Sequence, residues 1–222
     1  MKRPKPDQQE VVGWWRKGNA SGFTIVELIT VVAIMALMLA ILVPSALSVR
    51  QSANQAKTRL QFSQWGTAIT AFRSEYGYYP VFDPSNTING GASTRDLVFH
   101  DLLAGRRRDG TALAVGSAAA LQNRKAISFY SFPASDFVDS GSTTSSLLST
   151  AFGDVDVVVL VDRNLDGVIN SGDFGETLPL CRGMQPSTAD FPVDGVRAGV
   201  VFYCASPSAT ADVPRFTLSW KP

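Results

Sequence analysis

A run of 22 residues without a charged side chain, from Leu28 to Val49, constrains this chain more than any other part of its sequence. It belongs to an apolar stretch over residues 23–47, and these 25 residues would form a helix about 37 Å long at ~1.5 Å per residue. The hydrocarbon core of a bilayer is about 30 Å thick, so a helix of that length crosses it. The sequence therefore predicts one membrane-spanning helix over residues 23–47.

The residues before this stretch set its orientation. Residues 1–22 carry five basic and two acidic side chains, and such an excess of positive charge favours the cytoplasmic side of a membrane. A cleavable secretory signal fits less well, because the apolar stretch is too long and the small residues precede it. We expect a single-pass membrane protein whose N-terminal side is cytoplasmic and whose remaining residues lie on the opposite side of the membrane.

The helical pattern continues beyond the membrane segment. Apolar side chains recur at intervals of three and four residues, and polar ones fill the gaps, which predicts an amphipathic helix over residues 48–76. Gly77 and Pro80 signal its end, and Pro44 is expected to bend or locally melt the long helix over residues 23–76. The apolar stripe is Phe62, Trp65, Ile69, Phe72 and Tyr76.

The remainder, residues 77–222, predicts a domain with few helices and several strands. One short helix is expected over residues 95–103, with its end near Gly105, and residues 139–150 are expected to form a mobile loop. A helix followed by antiparallel strands defines the α+β class. Strands are predicted at residues 127–132, 155–161, 198–204 and 216–220.

The start of the apolar stretch carries a specific motif, Gly22-Phe23-Thr24-Ile25-Val26-Glu27-Leu28. It resembles the prepilin-type cleavage and methylation signature of type IV pilins and type II secretion pseudopilins, and Pro44 stands where that family has a bend-forming proline. The resemblance implies cleavage between Gly22 and Phe23 by a prepilin peptidase, with methylation of the new Phe23 amine. It also implies the pilin fold, in which the long helix packs on an antiparallel sheet. Residues 71–80 resemble the helix end of the major pseudopilins.

Glu27 is unusual because a carboxylate inside a membrane helix costs about 2.5–3.5 kcal/mol even on a lenient insertion scale. Cleavage after Gly22 would create a positive amine on Phe23, and a neighbouring subunit could offer that amine to Glu27. The pair would then favour assembly over the isolated protomer. The alternative is a glutamate at the membrane edge that extends to the lipid headgroups.

Residues 162–173 form an Asp-rich loop after the strand that ends at Val161. Oxygen-bearing side chains occupy positions 1, 3, 5, 9 and 12 of twelve, with Gly167 at position 6, as in EF-hand loops. We predict a calcium site, and the resemblance to major pseudopilins points to calcium as well. The alternative is a polar hairpin turn, since Asn and Asp also suit turns. The predicted ligands are Asp162, Asn164, Asp166, the Val168 carbonyl, Asn170 and Asp173.

The other reactive side chains give weaker signals. Cys181 and Cys204 would lie in the periplasm, where a disulfide is permitted, and two buried free thiols are the alternative. His100 is expected to be a surface or partly buried helix residue near Asp101 and not a catalytic base, and residues 106–108 a solvated basic loop. The formal net charge of +1 argues against a nucleic-acid partner, and no catalytic motif is present, so we do not expect an enzyme.

The resemblance implies a structural subunit of a type II secretion pseudopilus or type IV pilus-like filament. Its partners would be other copies of itself, other pseudopilins, the prepilin peptidase and the inner-membrane assembly platform with its ATPase. A minor pseudopilin or type IV pilin is the nearest alternative. A membrane-anchored periplasmic calcium-binding or adhesive module, or a calcium-dependent hydrolase with the same leader, are the others.

Overall fold

The structure, a computed structural model, describes residues 22–82, 88, 95–139, 146–210 and 214–221. Leader residues 1–21 lie outside this description. Contacts divide the chain into two compact units, one ending at Leu47 and the other beginning at Ser48. The boundary falls within a single helix, and each unit is described by itself below.

Helix α1 runs from Ile25 to Tyr76. Its backbone is helical through Pro44, so the local melting predicted there does not occur. In the first unit, every described side chain from Phe23 to Val43 is exposed. The helix contains a stretch long and apolar enough to cross a membrane, which suits either a membrane anchor or a signal sequence.

In the second unit, one stripe of α1 enters the core. Phe62 and Trp65 are buried, and the Phe62 ring stacks on Phe202 with 5.3 Å between centroids. The Trp65 ring lies 6.0 Å from the same Phe202. Gly66 lies against the same ring, where a Cβ would be in ordinary contact with Phe202 at 3.7 Å. Packing of the aromatic stripe on the sheet is therefore seen at Phe62 and Trp65.

The end of α1 also follows its local sequence. Gly77 has a φ of +81°, and its N–H donates to the Arg73 carbonyl (2.7 Å). A left-handed residue at this position is cheapest as glycine, and Pro80 cannot continue a helix. The predicted helix end near residues 76–77 is therefore confirmed.

The main sheet has three antiparallel strands, β3 (Val157–Val161), β4 (Val200–Ala205) and β5 (Phe216–Leu218). Their spatial order is β3–β4–β5. Val159 pairs with Phe202, and Tyr203 pairs with Leu218. These strands match three of the four predicted, and the layout of helix and antiparallel sheet belongs to the α+β class.

The elements between α1 and β3 are shorter. They include helix α2, which matches the predicted helix, and helix α3 and a 3-10 turn, which the sequence did not suggest. Residues 139 and 146–148, which the sequence placed in a mobile loop over residues 139–150, instead belong to a two-stranded antiparallel pair. The centre of the predicted loop, residues 140–145, lies outside the described residues. The bounds are α2 Arg95–Ala104, α3 Ala118–Gln122, the 3-10 turn Ala134–Asp136, β1 Phe137–Asp139 and β2 Ser146–Leu148.

The strand predicted at residues 127–132 is wrong. The amides of Phe129 and Tyr130 both donate to the Leu103 carbonyl at the end of α2, at 2.8 and 3.1 Å, instead of to a neighbouring strand. The Phe129 ring packs edge-on against Phe72 of α1, with centroids 5.5 Å apart. The apolar residues of this segment are half-buried, and its backbone is hydrogen-bonded to the end of α2 and not to a strand.

Candidate functional site

The Asp-rich loop (residues 162–173) begins directly after β3. The Asp162 N–H donates to the Gly199 carbonyl (3.0 Å), which continues the β3–β4 pairing for one more residue. The chain then turns through two left-handed residues, Leu165 with a φ of +63° and Gly167 with a φ of +86°. Left-handed backbone is uncommon at leucine. The tight turn therefore places the loop's side chains close to its own backbone.

Asp162 is the most buried side chain at the start of the loop, with 2% of its surface exposed. Its Oδ1 accepts the Asp166 N–H (3.1 Å), and its Oδ2 accepts the Gly167 N–H (2.9 Å). A carboxylate has about four acceptor positions, so each oxygen retains capacity for a further ligand.

Asp173 closes the other end of the loop and is 3% exposed. Its Oδ1 accepts the Arg163 N–H (2.7 Å), and its Oδ2 accepts the Asn170 N–H (3.0 Å). The second bond belongs to a capping box, in which Asn170 and Asp173 cap the short helix α4 (Ser171–Phe174). The sequence pattern predicted both residues as metal ligands, and the structure shows that they also cap α4.

Asn164 and Asp166 lie at the exposed side of the loop. The Asn164 amide donates to Asp166 Oδ2 (2.9 Å), and Asp166 Oδ1 accepts the Val168 N–H (2.8 Å). Across the loop, the donor set is three carboxylates, two amide oxygens and the Val168 carbonyl, which are the hard oxygen ligands that Ca²⁺ prefers. The donor chemistry thus fits calcium.

The acids of the loop have no cationic partner in the described parts of the chain, where neither Asp162 nor Asp173 forms an ion pair. Buried carboxylates held only by backbone amides would gain from a bound cation. However, within the same described ranges, no three His, Cys, Asp or Glu side chains form a group that could hold a metal. Calcium therefore stays a prediction.

A second segment that the sequence did not single out supports the loop. Ile169 and Val196 exchange two backbone hydrogen bonds, of 2.8 and 3.0 Å. Gly195 has a φ of +85°, and a Cβ there would lie 2.5 Å from the Ile169 carbonyl oxygen. The Phe174 ring at the end of α4 packs edge-on against Phe191, with centroids 5.6 Å apart. The loop is thereby connected to residues 191–196.

The leader junction (residues 22–28) is the other candidate site. Gly22 and Phe23 are exposed and precede the helix, which begins at Ile25. The Glu27 carboxylate accepts both the backbone N–H and the hydroxyl of Thr24, each at 2.9 Å, and Thr24 Oγ1 accepts the Glu27 N–H (3.2 Å). This is a reciprocal capping box. The Thr-x-x-Glu spacing could have revealed this role of Thr24 from the sequence.

The two cysteines are both buried and are free thiols in the structure. Cys181 Sγ donates to the Asp156 carbonyl (2.9 Å) and accepts the Ala205 N–H (3.1 Å), next to Cys204 in the chain. Burial raises the pKa of Cys181 to about 12 and raises that of Cys204 as well. Thiols that stay protonated react slowly, and the disulfide remains a prediction.

His100 lies on α2 and is buried. Its Nδ1 is 2.9 Å from Asp101 Oδ1, and its ring packs against Phe132 with centroids 4.8 Å apart. These contacts are those of a packed helix residue, buried more deeply than the sequence suggested.

Comparisons with known proteins add no relatives: no protein-family model, curated protein or solved structure matches the chain.

Proposed function

We propose that this chain is a structural subunit of a type II secretion pseudopilus or type IV pilus-like filament. The observation that carries the proposal is the leader junction, where the residues of a prepilin cleavage signature lie just ahead of an exposed apolar helix. The Gly22–Phe23 bond precedes the first helical residue, Ile25, so its backbone is open to a peptidase. The chain is then a single-pass inner-membrane precursor with its second unit in the periplasm.

Assembly into a filament gives the first half of α1 a second apolar environment. When a subunit is extracted from the bilayer, the exposed side chains from Phe23 to Val43 would contact water unless other apolar helices cover them. The cleaved Phe23 amine of one subunit then pairs with Glu27 of a neighbour. In the single chain, Thr24 satisfies Glu27 instead, which lowers the cost of keeping its carboxylate in the membrane.

The pilin fold is part of the same proposal. A long helix whose first half is apolar and whose second half packs through Phe62 and Trp65 on an antiparallel sheet supports it. Force for assembly would come from the ATPase of the inner-membrane platform, since the subunit has only to bind its neighbours. The partners are other copies and other pseudopilins.

The processing step is tested by expressing the chain with a prepilin peptidase and measuring the mass of the membrane-extracted protein. The expected product begins at methylated Phe23. Gly22→Leu should leave the precursor intact because the side chain obstructs the cut, whereas Gly13→Leu, within the same leader, should be processed normally. An intact Met1 terminus on wild-type protein from sheared filaments would refute the proposal.

The assembly step is tested through the charge of Glu27. Glu27→Gln should reduce sheared filaments by about tenfold or more, since breaking a buried charge pair costs several kcal/mol. Glu75→Gln is the matched control, because Glu75 lies at the periplasmic end of α1 and pairs with Lys125. Equal filament yields from the two variants would contradict the proposed role of Glu27.

A second candidate function is a membrane-anchored periplasmic calcium-binding or adhesive module. The observation that favours it is the Asp-rich loop, in which buried Asp162 and Asp173 face backbone amides and no basic side chain among the described residues. Mature chain that stays in the membrane fraction after shearing supports this alternative. Mature chain recovered in filaments supports the subunit, and its abundance there distinguishes a major from a minor one.

A further inference from the structure

A pocket of about 430 Å³ in the second unit has no part in the sites above. One wall is α1, through Gln51 and Gln55, and another is the β4–β5 hairpin, through Ser206 and Arg215. The lining also includes two aromatic side chains, Phe152 and Phe216. The pocket therefore combines hydrogen-bonding groups with flat apolar surface.

Three polar side chains of this pocket are unused by the fold. Within the described residues, the side chains of Gln51, Gln55 and Arg215 have no hydrogen-bond or ion-pair partner. Asp190 also lines the pocket, but Lys221 Nζ is 3.1 Å from its Oδ1, and the Ser187 hydroxyl donates to its Oδ2 (3.0 Å). The uncompensated charge of the pocket is the Arg215 guanidinium, which favours an anion.

The position of the pocket along the chain restricts where that anion comes from. Gln51 and Gln55 follow Leu47, the last residue of the predicted membrane-spanning stretch, by four and eight residues. Because α1 is helical here, these positions lie about 6 and 12 Å beyond that stretch at ~1.5 Å per residue. The polar headgroup layer on each side of a bilayer is about 5–8 Å thick. This wall of the pocket therefore lies within or next to the headgroups wherever that stretch crosses a membrane.

We propose that the pocket binds the phosphate group of an anionic phospholipid in the leaflet from which α1 emerges. Arg215 can hold two phosphate oxygens at once, and the amides of Gln51 and Gln55 can donate to the others. Phe152 and Phe216 would cover the glycerol and the first methylenes of the acyl chains. The proposal rests on the membrane anchoring within the proposed function, and the bound lipid would hold the second unit against the bilayer surface.

The test uses the full mature chain in neutral detergent micelles, titrated with dihexanoyl phosphatidylglycerol and followed by native mass spectrometry. Arg215→Gln should weaken binding about tenfold, as expected for losing charge-assisted hydrogen bonds. Arg106→Gln removes the same charge from an exposed loop outside the pocket and should bind like wild type. Dihexanoyl phosphatidylcholine, which carries no net charge, should bind wild type more weakly than phosphatidylglycerol.

Three results would overturn the proposal. Equal lipid binding by Arg215→Gln and wild type would show that the pocket is not used. Inorganic phosphate binding as tightly as the lipid would make it a site for free anions. If the Arg215→Gln chain binds lipid normally but no longer self-associates, the surface around Arg215 is a contact between subunits and not a lipid site.

Two controls keep the outcome clear. Thermal unfolding of Arg215→Gln should match wild type, because Arg215 is exposed. Arg215→Lys should bind lipid with intermediate strength, since it keeps the charge but loses the planar guanidinium fork.

Carbonate extraction of membranes tests the anchoring separately. A wild-type chain that is extracted refutes the anchoring and the lipid site with it. A retained chain with equal lipid binding in both forms refutes the lipid site alone.

Discussion

The two halves of helix α1 have the same backbone conformation and opposite surroundings. From Ile25 to Val43 every side chain is exposed, whereas Phe62, Trp65, Ile69 and Phe72 are almost entirely buried by the sheet and its neighbours. The difference teaches that helical structure in this chain is set locally, while burial depends on which surface the helix meets. The first half packs against no other protein segment among the described residues of its unit. Its apolar surface therefore needs an apolar environment from outside the protomer.

The largest expected effect concerns the buried half. Trp65→Ala should lower the stability of the second unit by about 3–5 kcal/mol, because it removes the side chain that contacts both Phe202 and Phe99. Val32→Ala, in the exposed half, should leave unfolding unchanged. Denaturation of the full chain in detergent micelles measures both. A comparable loss of stability from Val32→Ala would mean that the first half has protein contacts within the protomer.

The next effect concerns the Asp-rich loop, which belongs to the second unit alone. Calcium at a hundredfold excess over its Kd should stabilise that unit by about 2.7 kcal/mol, and Asp162→Ala with Asp166→Ala should abolish this gain. Asp194→Ala, an exposed acid outside the loop, is the control. The measurement is the melting temperature with and without calcium. No calcium-dependent shift in the wild-type chain would refute the site.

A smaller effect is expected at the start of α1. Thr24→Val removes the two hydrogen bonds that the Thr24 hydroxyl makes with Glu27 and should cost about 1 kcal/mol, so the amides of the first turn should exchange about fivefold faster. Thr30→Val is the control, since its hydroxyl bonds only to the Glu27 carbonyl within the helix. Exchange at Trp65 should be unchanged in both variants. Faster exchange there would show that the cap influences both halves.

The smallest effect is a pH dependence at Asp136, which lies in the 3-10 turn of the second unit. Burial raises the pKa of Asp136, whose Oδ2 accepts the Tyr130 hydroxyl (3.0 Å). A raised folded-state pKa means that ionising Asp136 costs stability, so stability should fall as pH rises from about 3.9, the unfolded value, through the folded value. Asp136→Asn should raise the free energy of unfolding at pH 8 by about 1 kcal/mol or less, seen as a slightly higher melting temperature, and have little effect at pH 3.

Asp109 provides the opposite sign as a control for that experiment. Hydrogen bonds from the hydroxyl and amide of Thr111 hold the pKa of this exposed carboxyl below its usual range. Its small contribution is present above the unfolded pKa and is lost as pH falls. A gain in melting temperature at pH 8 from Asp109→Asn as well as from Asp136→Asn would mean that net charge, and not burial, controls the pH dependence.

Sequence patterns anticipated those elements whose causes are local. The 3–4 spacing of apolar residues predicted α1, and Gly77 predicted its end, because both depend on neighbouring residues alone. The strand at residues 127–132 was wrong because alternating apolar residues suit a sheet or a crevice between helices equally well. The hydrogen bonds that Phe129 and Tyr130 donate to the Leu103 carbonyl show that the segment packs against helices, and this partner is distant in sequence.

The candidate sites divide in the same way. The spacing of residues 162–173 anticipated a turn rich in oxygen ligands, and the structure adds that Asp173 caps α4 and that Gly195 packs on Ile169. The pocket beside Arg215 had no sequence signal, because its walls come from a helix and a hairpin more than 150 residues apart.

By itself the sequence determined one long helix, apolar in its first half and amphipathic in its second, and an Asp-rich turn after a strand. The tertiary structure alone decided that Phe202 of β4 meets Phe62 and Trp65, that residues 137–139 and 146–148 pair, and that the 127–132 segment stays outside the sheet. The physical reason is that helices and turns are stabilised by hydrogen bonds between near neighbours, whereas strands and cores need partners that chain position does not specify.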